Sequence, residues 1–176
     1  MPKVLISDSL SSFAKDIFES NNIHVDIKTE LSPLELKENI KHYDGLIVRS
    51  ATKVTKEIIE SGQNLKIIGR AGAGIDNIDL KYSQKNGIVV MNTPGGNTNA
   101  TAEHTFALLF ALYKNITDAN ISTHKGLWEK KKFKGLELEY KKIGLIGFGN
   151  VAIRVSQIAK NLDMEVVTFS KSFESR

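Results

Sequence analysis

The sequence predicts an α/β protein: a parallel sheet flanked by helices, followed by the opening of a second strand–turn–helix unit. Three observations predict it. From Val4 to Met91 short apolar runs alternate with helix-like segments over short connections, the pattern of a parallel sheet with helices on its faces. Polar and glycine-rich residues follow those runs at Ser7-Asp8, Arg49-Ser50, Arg70 to Gly74 and Asn97. In folds of this kind ligands sit outside the carboxyl ends of the strands. Finally, Lys142 to Ala152 reads KIGLIGFGNVA, an apolar run, a glycine turn and the start of a helical pattern.

Taken in order, Val4 to Ser7 is a short apolar strand, and Ser11 to Asn21 a helix with Phe13, Ile17 and Phe18 on one face. Ile23 to Lys28 alternates as a strand does. Ser32-Pro33-Leu34-Glu35 opens a helix: a serine cap, proline at the first helical position and glutamate three residues after the cap. Leu34 and Ile40 are expected on its inner side. Leu46 to Val48 is a strand; Thr55 caps a helix running through Ile58 and Ile59 to Gly62. Leu65 to Ile68 is the next strand, Asp79 caps a short helix ending near Gly87, and Ile88 to Met91 is a further strand. Asn99 to about Ile116 is the longest helix and is apolar nearly all round, so it is expected to be covered on more than one side. The stretch around Gly126-Leu127-Trp128 has little apolar pattern and is expected to be an extended arm.

In the second unit Ile143, Leu145 and Ile146 read as a short buried strand, and Val151, Val155, Ile158, Ala159 and Leu162 fall at helical spacing. Strand, glycine turn and helix in this order is the layout of a dinucleotide-binding unit. Gly147 permits the sharp turn; Gly149, having no Cβ, lets a pyrophosphate approach the backbone; the helix N-terminus offers unpaired N–H groups to the phosphates. Ala152 stands at the third glycine position, an allowed variant. The following strand, Glu165 to Phe169, ends in Ser170 and Lys171 rather than in the acid that would meet a ribose hydroxyl.

With 176 residues the chain is long enough for a sizeable core, as one domain or two small ones. It has no cysteine, which excludes disulfides and thiolate metal sites and is compatible with a reducing compartment; the cytoplasm is the expected location. The N-terminus has no signal-peptide pattern, and the longest apolar run, Phe106 to Tyr113, is too short to cross a bilayer. No membrane partner is therefore expected. The net charge of +4 lies mostly after Gly95, densest at Lys130, Lys131, Lys132 and Lys134. The run lacks interleaved aromatics and no nucleic-acid-binding motif accompanies it, so a solvated loop, an anionic small molecule or a partner's acidic surface is expected, and no nucleic acid.

No complete catalytic constellation is found. Glu103 and His104 are adjacent on a helix and point to different sides. His24, His42 and His124 have no second ligand at metal spacing, and no metal is expected. Asp76 and Asp79 suit a turn or a helix cap, and there is no G-x-S-x-G elbow. Arg49 and Arg70 follow neighbouring strands and suit an anion, since guanidinium binds carboxylate or phosphate through paired donors. The alternative is that each pairs with a nearby Asp or Glu.

Five strings carry a further resemblance: LIVRSATKVT (Leu46 to Thr55), IGRAGAGIDNIDL (Ile68 to Leu80), VVMNTPGGNT (Val89 to Thr98), AEHTFALLFAL (Ala102 to Leu112) and GLWEKKKFKGLEL (Gly126 to Leu138). In one register from Val4 to about Phe169, the chain closely resembles the D-isomer-specific 2-hydroxyacid dehydrogenases. The resemblance implies a flavodoxin-like substrate-binding domain over residues 1–96. Residues 97–176 would then be a crossing helix and the incomplete start of a Rossmann, NAD(P)-binding domain. It implies that Arg49, Ser50, Arg70, Gly72 and Asn97 line the substrate side, where a small anionic 2-hydroxy or 2-oxo acid is held. Ala73 would lie near the nicotinamide end, Gly147 and Gly149 at the pyrophosphate, and Asn150 and Val151 behind it. Ser170 would stand at the ribose. NAD is the implied cofactor, with NADP open because Ser170-Lys171 removes a repelling carboxylate and adds a cation. The helix at 99–116 would form a homodimer, and the lysines after Trp128 would match a basic arm reaching a neighbouring subunit.

The same resemblance puts the family's catalytic Arg, Glu and His beyond position 176, so none of the histidines present takes that role. The expectation is the N-terminal part of an NAD(P)-dependent oxidoreductase acting on a CH–OH group, truncated and inactive alone. The alternative is a non-catalytic protein on the same scaffold that binds an anionic metabolite or dimerises.

Overall fold

The computed structural model describes residues 1–171 and divides into two compact units, Met1–Gly96 and Asn97–Arg176. The first unit holds β1 (Lys3–Ile6), α1 (Phe13–Ser20), β2 (His24–Ile27), α2 (Pro33–Asn39) with a 3-10 turn after it, β3 (Gly45–Val48), α3 (Lys56–Ser61), β4 (Ile67–Arg70), α4 (Leu80–Lys85) and β5 (Val89–Asn92). All five strands are parallel and lie in the order β2-β1-β3-β4-β5. This is the flavodoxin-like order, whose switch point lies between β1 and β3.

Local chemistry starts and stops these elements. Ser32 accepts the Glu35 amide at 3.3 Å while Glu35 accepts the Ser32 amide at 2.8 Å, a complete capping box with Pro33 in the first turn. Asp79 caps α4 through the Tyr82 amide at 2.9 Å. The main core lies on one face of the sheet, where α2, the 3-10 turn and α3 bring Leu36, Ile40, Ile58 and Ile59 onto Leu5, Leu46, Val48 and Ile68, with Tyr82 of α4 packed against them. On the other face α1 covers Val4, Ile6 and Val25 through Ala14 and Phe18. The inner residue of α2 is Leu36, not Leu34, which is 77% exposed. Leu36 and Ile40, four residues apart, define the buried stripe, and Leu34 lies off it. Phe13 and Ile17 on α1 are likewise exposed, because this short helix rests on the sheet through Ala14 and Phe18.

The outer strand is anchored by charge. Tyr43 Oη donates to Asp26 at 2.7 Å and Lys3 Nζ lies 3.0 Å from it. The Tyr43 hydrogen bond first, then the Lys3 one, holds the Asp26 carboxyl down at about 2. The largest carboxyl shift among the described residues thus belongs to the scaffold.

The second unit holds α5 (Thr98–Tyr113), α6 (Ile116–His124), β6 (Lys142–Ile146), α7 (Asn150–Asn161) and β7 (Glu165–Phe169). The long apolar helix stops earlier than its pattern predicts. Asn115 adopts the left-handed conformation, φ 54°, and a separate helix α6 follows. Its ITDANISTH sequence carries β-branched and amide residues with weak helix preference, so periodicity does not announce it. Residues 127–141 hold no helix or strand.

β6 and β7 pair in parallel, Ile143 with Val166 and Leu145 with Thr168. Ala102 and Phe106 of α5, Val155 and Ala159 of α7, Leu138 and Met164 form the core under one sheet face. Ile146 is not buried: it is 93% exposed. Successive strand residues point to opposite faces, and among the described residues only the face of Ile143 and Leu145 is covered. On α5, likewise, Phe106 is buried while Leu108 and Leu112 face outward. The expected cover on more than one side is not present within this unit.

Candidate functional site

In the first unit the loops that follow β1, β3, β4 and β5 come together at one sheet edge. β3 and β4 pair with Val48 opposite Arg70, so Arg49 and Arg70 stand at the C-terminal ends of neighbouring strands. The Ala71 amide continues the ladder to the Val48 carbonyl at 2.9 Å. Among the described residues no ion pair involves either arginine, so the Asp or Glu partner considered for each is not found. Arg49 is exposed, with Nη1 donating to the Ser9 carbonyl at 3.2 Å. Ser50 beside it is exposed.

Arg70 is half-buried, and its Nε is enclosed with no hydrogen-bond partner. Its guanidinium lies along the glycine loop that follows. A Cβ on Gly72 would stand 2.8 Å from Arg70 Nη1, and one on Gly74 would stand 2.9 Å from Asp76 Oδ1 and 3.3 Å from Arg70 Nη1. Both glycines therefore make room for the guanidinium, and a methyl at Gly72 would displace it. The loop is held open from β5: Asn92 Nδ2 donates to the Ala73 carbonyl at 2.6 Å, and the Thr93 amide to the Gly72 carbonyl at 3.0 Å. An enclosed, unpaired guanidinium donor is costly unless something accepts from the group. Two arginines at neighbouring strand ends, neither in an ion pair among the described residues, suit a doubly anionic ligand.

The remaining sequence-predicted residues lie in the second unit. Asn97 precedes α5, and its carbonyl accepts from the amide and the hydroxyl of Thr101 at 2.9 and 2.8 Å. Gly147 has φ +90° and donates to the Phe169 carbonyl at 2.7 Å, which turns the chain off β6 beside the end of β7. Gly149 is extended and immediately precedes α7. The first intrahelical amide bond is Ile153 to the Gly149 carbonyl, so the amides of Asn150, Val151 and Ala152 lie ahead of the ladder. A Cβ at Gly147 or Gly149 would meet nothing within 4 Å. That open space over free helix amides fits a pyrophosphate approaching the backbone. Asn150 is exposed there, whereas Val151 packs against the unit's core. Ser170 follows β7 half-buried, and Lys171 is exposed.

The histidines stand elsewhere. His24 begins β2 and contacts Asp26 at 3.2 Å; His42 precedes β3. In a parallel sheet those strand starts lie at the edge opposite Arg49 and Arg70. His104 is exposed on α5, and His124 contacts the Asn120 carbonyl at 2.9 Å. Among the described residues no cluster of three His, Cys, Asp or Glu is placed to hold a metal. No described helix is long and apolar enough to cross a membrane.

Sequence reasoning did not single out Asn77 or Thr52, and it noted Asp8 only as a polar strand end. Asp8 is buried and Asn77 ties two loops, so their importance lies in long-range contacts with no local signal.

Comparison with known proteins accounts for this arrangement. The family model of the D-isomer-specific 2-hydroxyacid dehydrogenase catalytic domain matches residues 4–171. A D-3-phosphoglycerate dehydrogenase of Archaeoglobus fulgidus is 46% identical over 167 residues, covering 95% of this chain and 32% of that protein. The chain spans about a third of the length of the curated relatives it matches. Among solved structures, the NAD+-bound 3-phosphoglycerate dehydrogenase of Entamoeba histolytica is 32% identical with a TM-score of 0.79, over 97% of this chain and 54% of that one. An acyclic imino acid reductase in complex with NADPH and D-Arg is also 32% identical, with a TM-score of 0.84, over 97% of this chain and 56% of that one. On its sequence and its fold alike, the chain belongs to the D-isomer-specific 2-hydroxyacid dehydrogenase family.

Proposed function

We propose that residues 1–96 are the substrate-binding part, and residues 97–176 the start of the NAD(P)-binding part, of a 2-hydroxyacid dehydrogenase most like D-3-phosphoglycerate dehydrogenase, the first enzyme of serine synthesis. The observation that carries this reading is the pair Arg49 and Arg70, at the ends of neighbouring strands and in no ion pair with a described acid. In this reading the two guanidinium groups hold the anionic ends of a small 2-hydroxy or 2-oxo acid. Ser50 and the opened Gly72–Ala73 backbone shape the site beside them, and Asn97, at the head of α5, is a further residue assigned to the substrate by the family resemblance. The Gly147–Val151 turn receives the pyrophosphate, and Ser170 the ribose. The bound nicotinamide would take up the hydride from the substrate carbon. NAD is the proposed cofactor, and the Ser170-Lys171 pair is what keeps NADP as its alternative. The cytoplasm is the proposed compartment.

Titration of the 176-residue chain with 3-phosphoglycerate, followed by amide chemical shifts, tests the reading. Saturable shifts at Arg49, Ser50 and the Arg70–Gly74 loop are expected; a spectrum unchanged at millimolar ligand would overturn it. In the same sample, NADH or NADPH with 3-phosphohydroxypyruvate is expected to show no loss of nicotinamide absorbance. The reason is that the described histidines of the first unit lie at the opposite sheet edge, so no imidazole there can pass the hydroxyl proton. Measurable turnover would contradict this assignment of roles.

A homodimer through α5 belongs to the same proposal. Leu108 and Leu112, 59% and 72% exposed, form an uncovered apolar stripe on α5. Sedimentation at micromolar protein is expected to show a dimer that Leu112→Glu disperses; a wild-type monomer would rule this contact out.

A further inference from the structure

The Arg49 main chain is gripped from both sides by side chains distant in sequence. Below it, the buried Asp8 carboxylate accepts the Arg49 amide through Oδ2, and the Thr52 amide at 3.3 Å through the same oxygen. Its other oxygen accepts the Thr52 hydroxyl at 2.8 Å, and Ser7 Oγ donates to Thr52 Oγ1 at 3.2 Å. Above it, Asn77 Nδ2 donates one hydrogen to the Arg49 carbonyl at 2.7 Å and the other to the Thr52 carbonyl at 2.6 Å. Backbone pairing adds to this grip: the Val54 amide reaches the Asn77 carbonyl at 2.8 Å, and the Asp79 amide reaches the Val54 carbonyl at 3.0 Å.

Two carbonyls can only accept, so the group between them must present two hydrogens on one atom. A neutral carboxamide does this; serine, aspartate or alanine cannot. The arrangement has a cost. Asn77 Oδ1 is enclosed and has no partner. An enclosed acceptor without a partner costs free energy that the two donated bonds must offset. Loops that carry ligand contacts are otherwise the mobile parts of such folds, and an exposed arginine on a mobile loop loses binding free energy to ordering. Clamping both its amide and its carbonyl removes backbone freedom and leaves only side-chain rotamers to be fixed.

We propose that Asn77 and Asp8 are positioning residues that fix the Arg49 main chain for the anionic substrate. This rests on the reading that Arg49 binds that substrate. The test is a double-mutant cycle on the 176-residue chain, with 3-phosphoglycerate as the probe in calorimetric titration. The four proteins are wild type, Asn77→Ala, Arg49→Ala and the double variant; Asn77→Ser, which retains one donor, replaces Asn77→Ala if thermal melting shows that variant to be unfolded. Asn77→Ala is expected to weaken binding about fivefold to tenfold in the Arg49 background and less than twofold in the Arg49→Ala background, the non-additivity of residues acting through one another. Equal losses in both backgrounds would show a general structural role and overturn the proposal, as would no loss in either. If wild type binds but the cycle is additive, positioning alone falls; if wild type does not bind, the substrate reading falls and takes the proposal with it.

Discussion

Alanine at both Arg49 and Arg70 is expected to weaken 3-phosphoglycerate binding by a hundredfold or more, with little loss of stability. Hydrogen bonds to charged groups contribute about 1.5–3 kcal/mol each, and about 1.4 kcal/mol is tenfold in affinity. Two guanidinium groups removed together therefore exceed a hundredfold even at the low end. The fold has little to lose in exchange. Arg49 is exposed and makes a single side-chain bond, to the Ser9 carbonyl. Arg70 Nε is enclosed with no partner, so Arg70→Ala removes an unpaired donor and is expected to leave the melting temperature unchanged or slightly raised. Lysine at either position restores charge without the planar fork and is expected to recover only part of the affinity. Calorimetric titration with parallel thermal melts checks both halves of the expectation. Retained affinity in the double variant would show that the arginines do not hold the ligand.

The second large effect is on stability. Ile68→Ala is expected to destabilise the chain by about 2–5 kcal/mol, the range for truncating a buried isoleucine to alanine. Ile68 is fully buried on β4, between β3 and β5, and packs in the cluster with Leu46, Val48 and Ile58. The neighbouring elements are tied by strand ladders and cannot collapse into the space left. A loss of this size is a large fraction of the about 5–15 kcal/mol that holds a domain folded. Val89→Ala, on β5 but 55% exposed, serves as the control and is expected to cost less than about 1 kcal/mol. Urea unfolding of the three proteins decides; equal midpoints for Ile68→Ala and Val89→Ala would mean that the core does not lie on the face described.

Much of the architecture was legible before any coordinates. Short apolar runs, the Ser32/Glu35 capping box, the Asp79 cap and the Gly147 turn are local signals, and each is present. Backbone torsion preferences and caps act within a few residues, so a linear reading reaches them. The family resemblance was legible too, because its strings are themselves linear. Which face of an element is covered was not. Ile146 and Leu34 are apolar at plausible positions, yet both are exposed, since burial depends on what another segment brings to that face. The break at Asn115 was missed because a single left-handed residue leaves no mark on periodicity.

The site divides along the same line. That Arg49 and Arg70 come at the ends of successive apolar runs is legible in the sequence; the strand order β2-β1-β3-β4-β5 that makes those strands neighbours is not dictated by alternation alone. That Arg70 lies against Gly72 and Gly74, and that Asp8 and Asn77 hold Arg49 from opposite sides, depends on contacts between separate strand ends. Asp8 and Arg49 are 41 residues apart and Arg49 and Asn77 are 28 apart. Hydrogen bonds at such separations form only once the parallel sheet has brought its loops to one edge. Composition and spacing specify which elements form; the three-dimensional packing of those elements specifies which side chains meet.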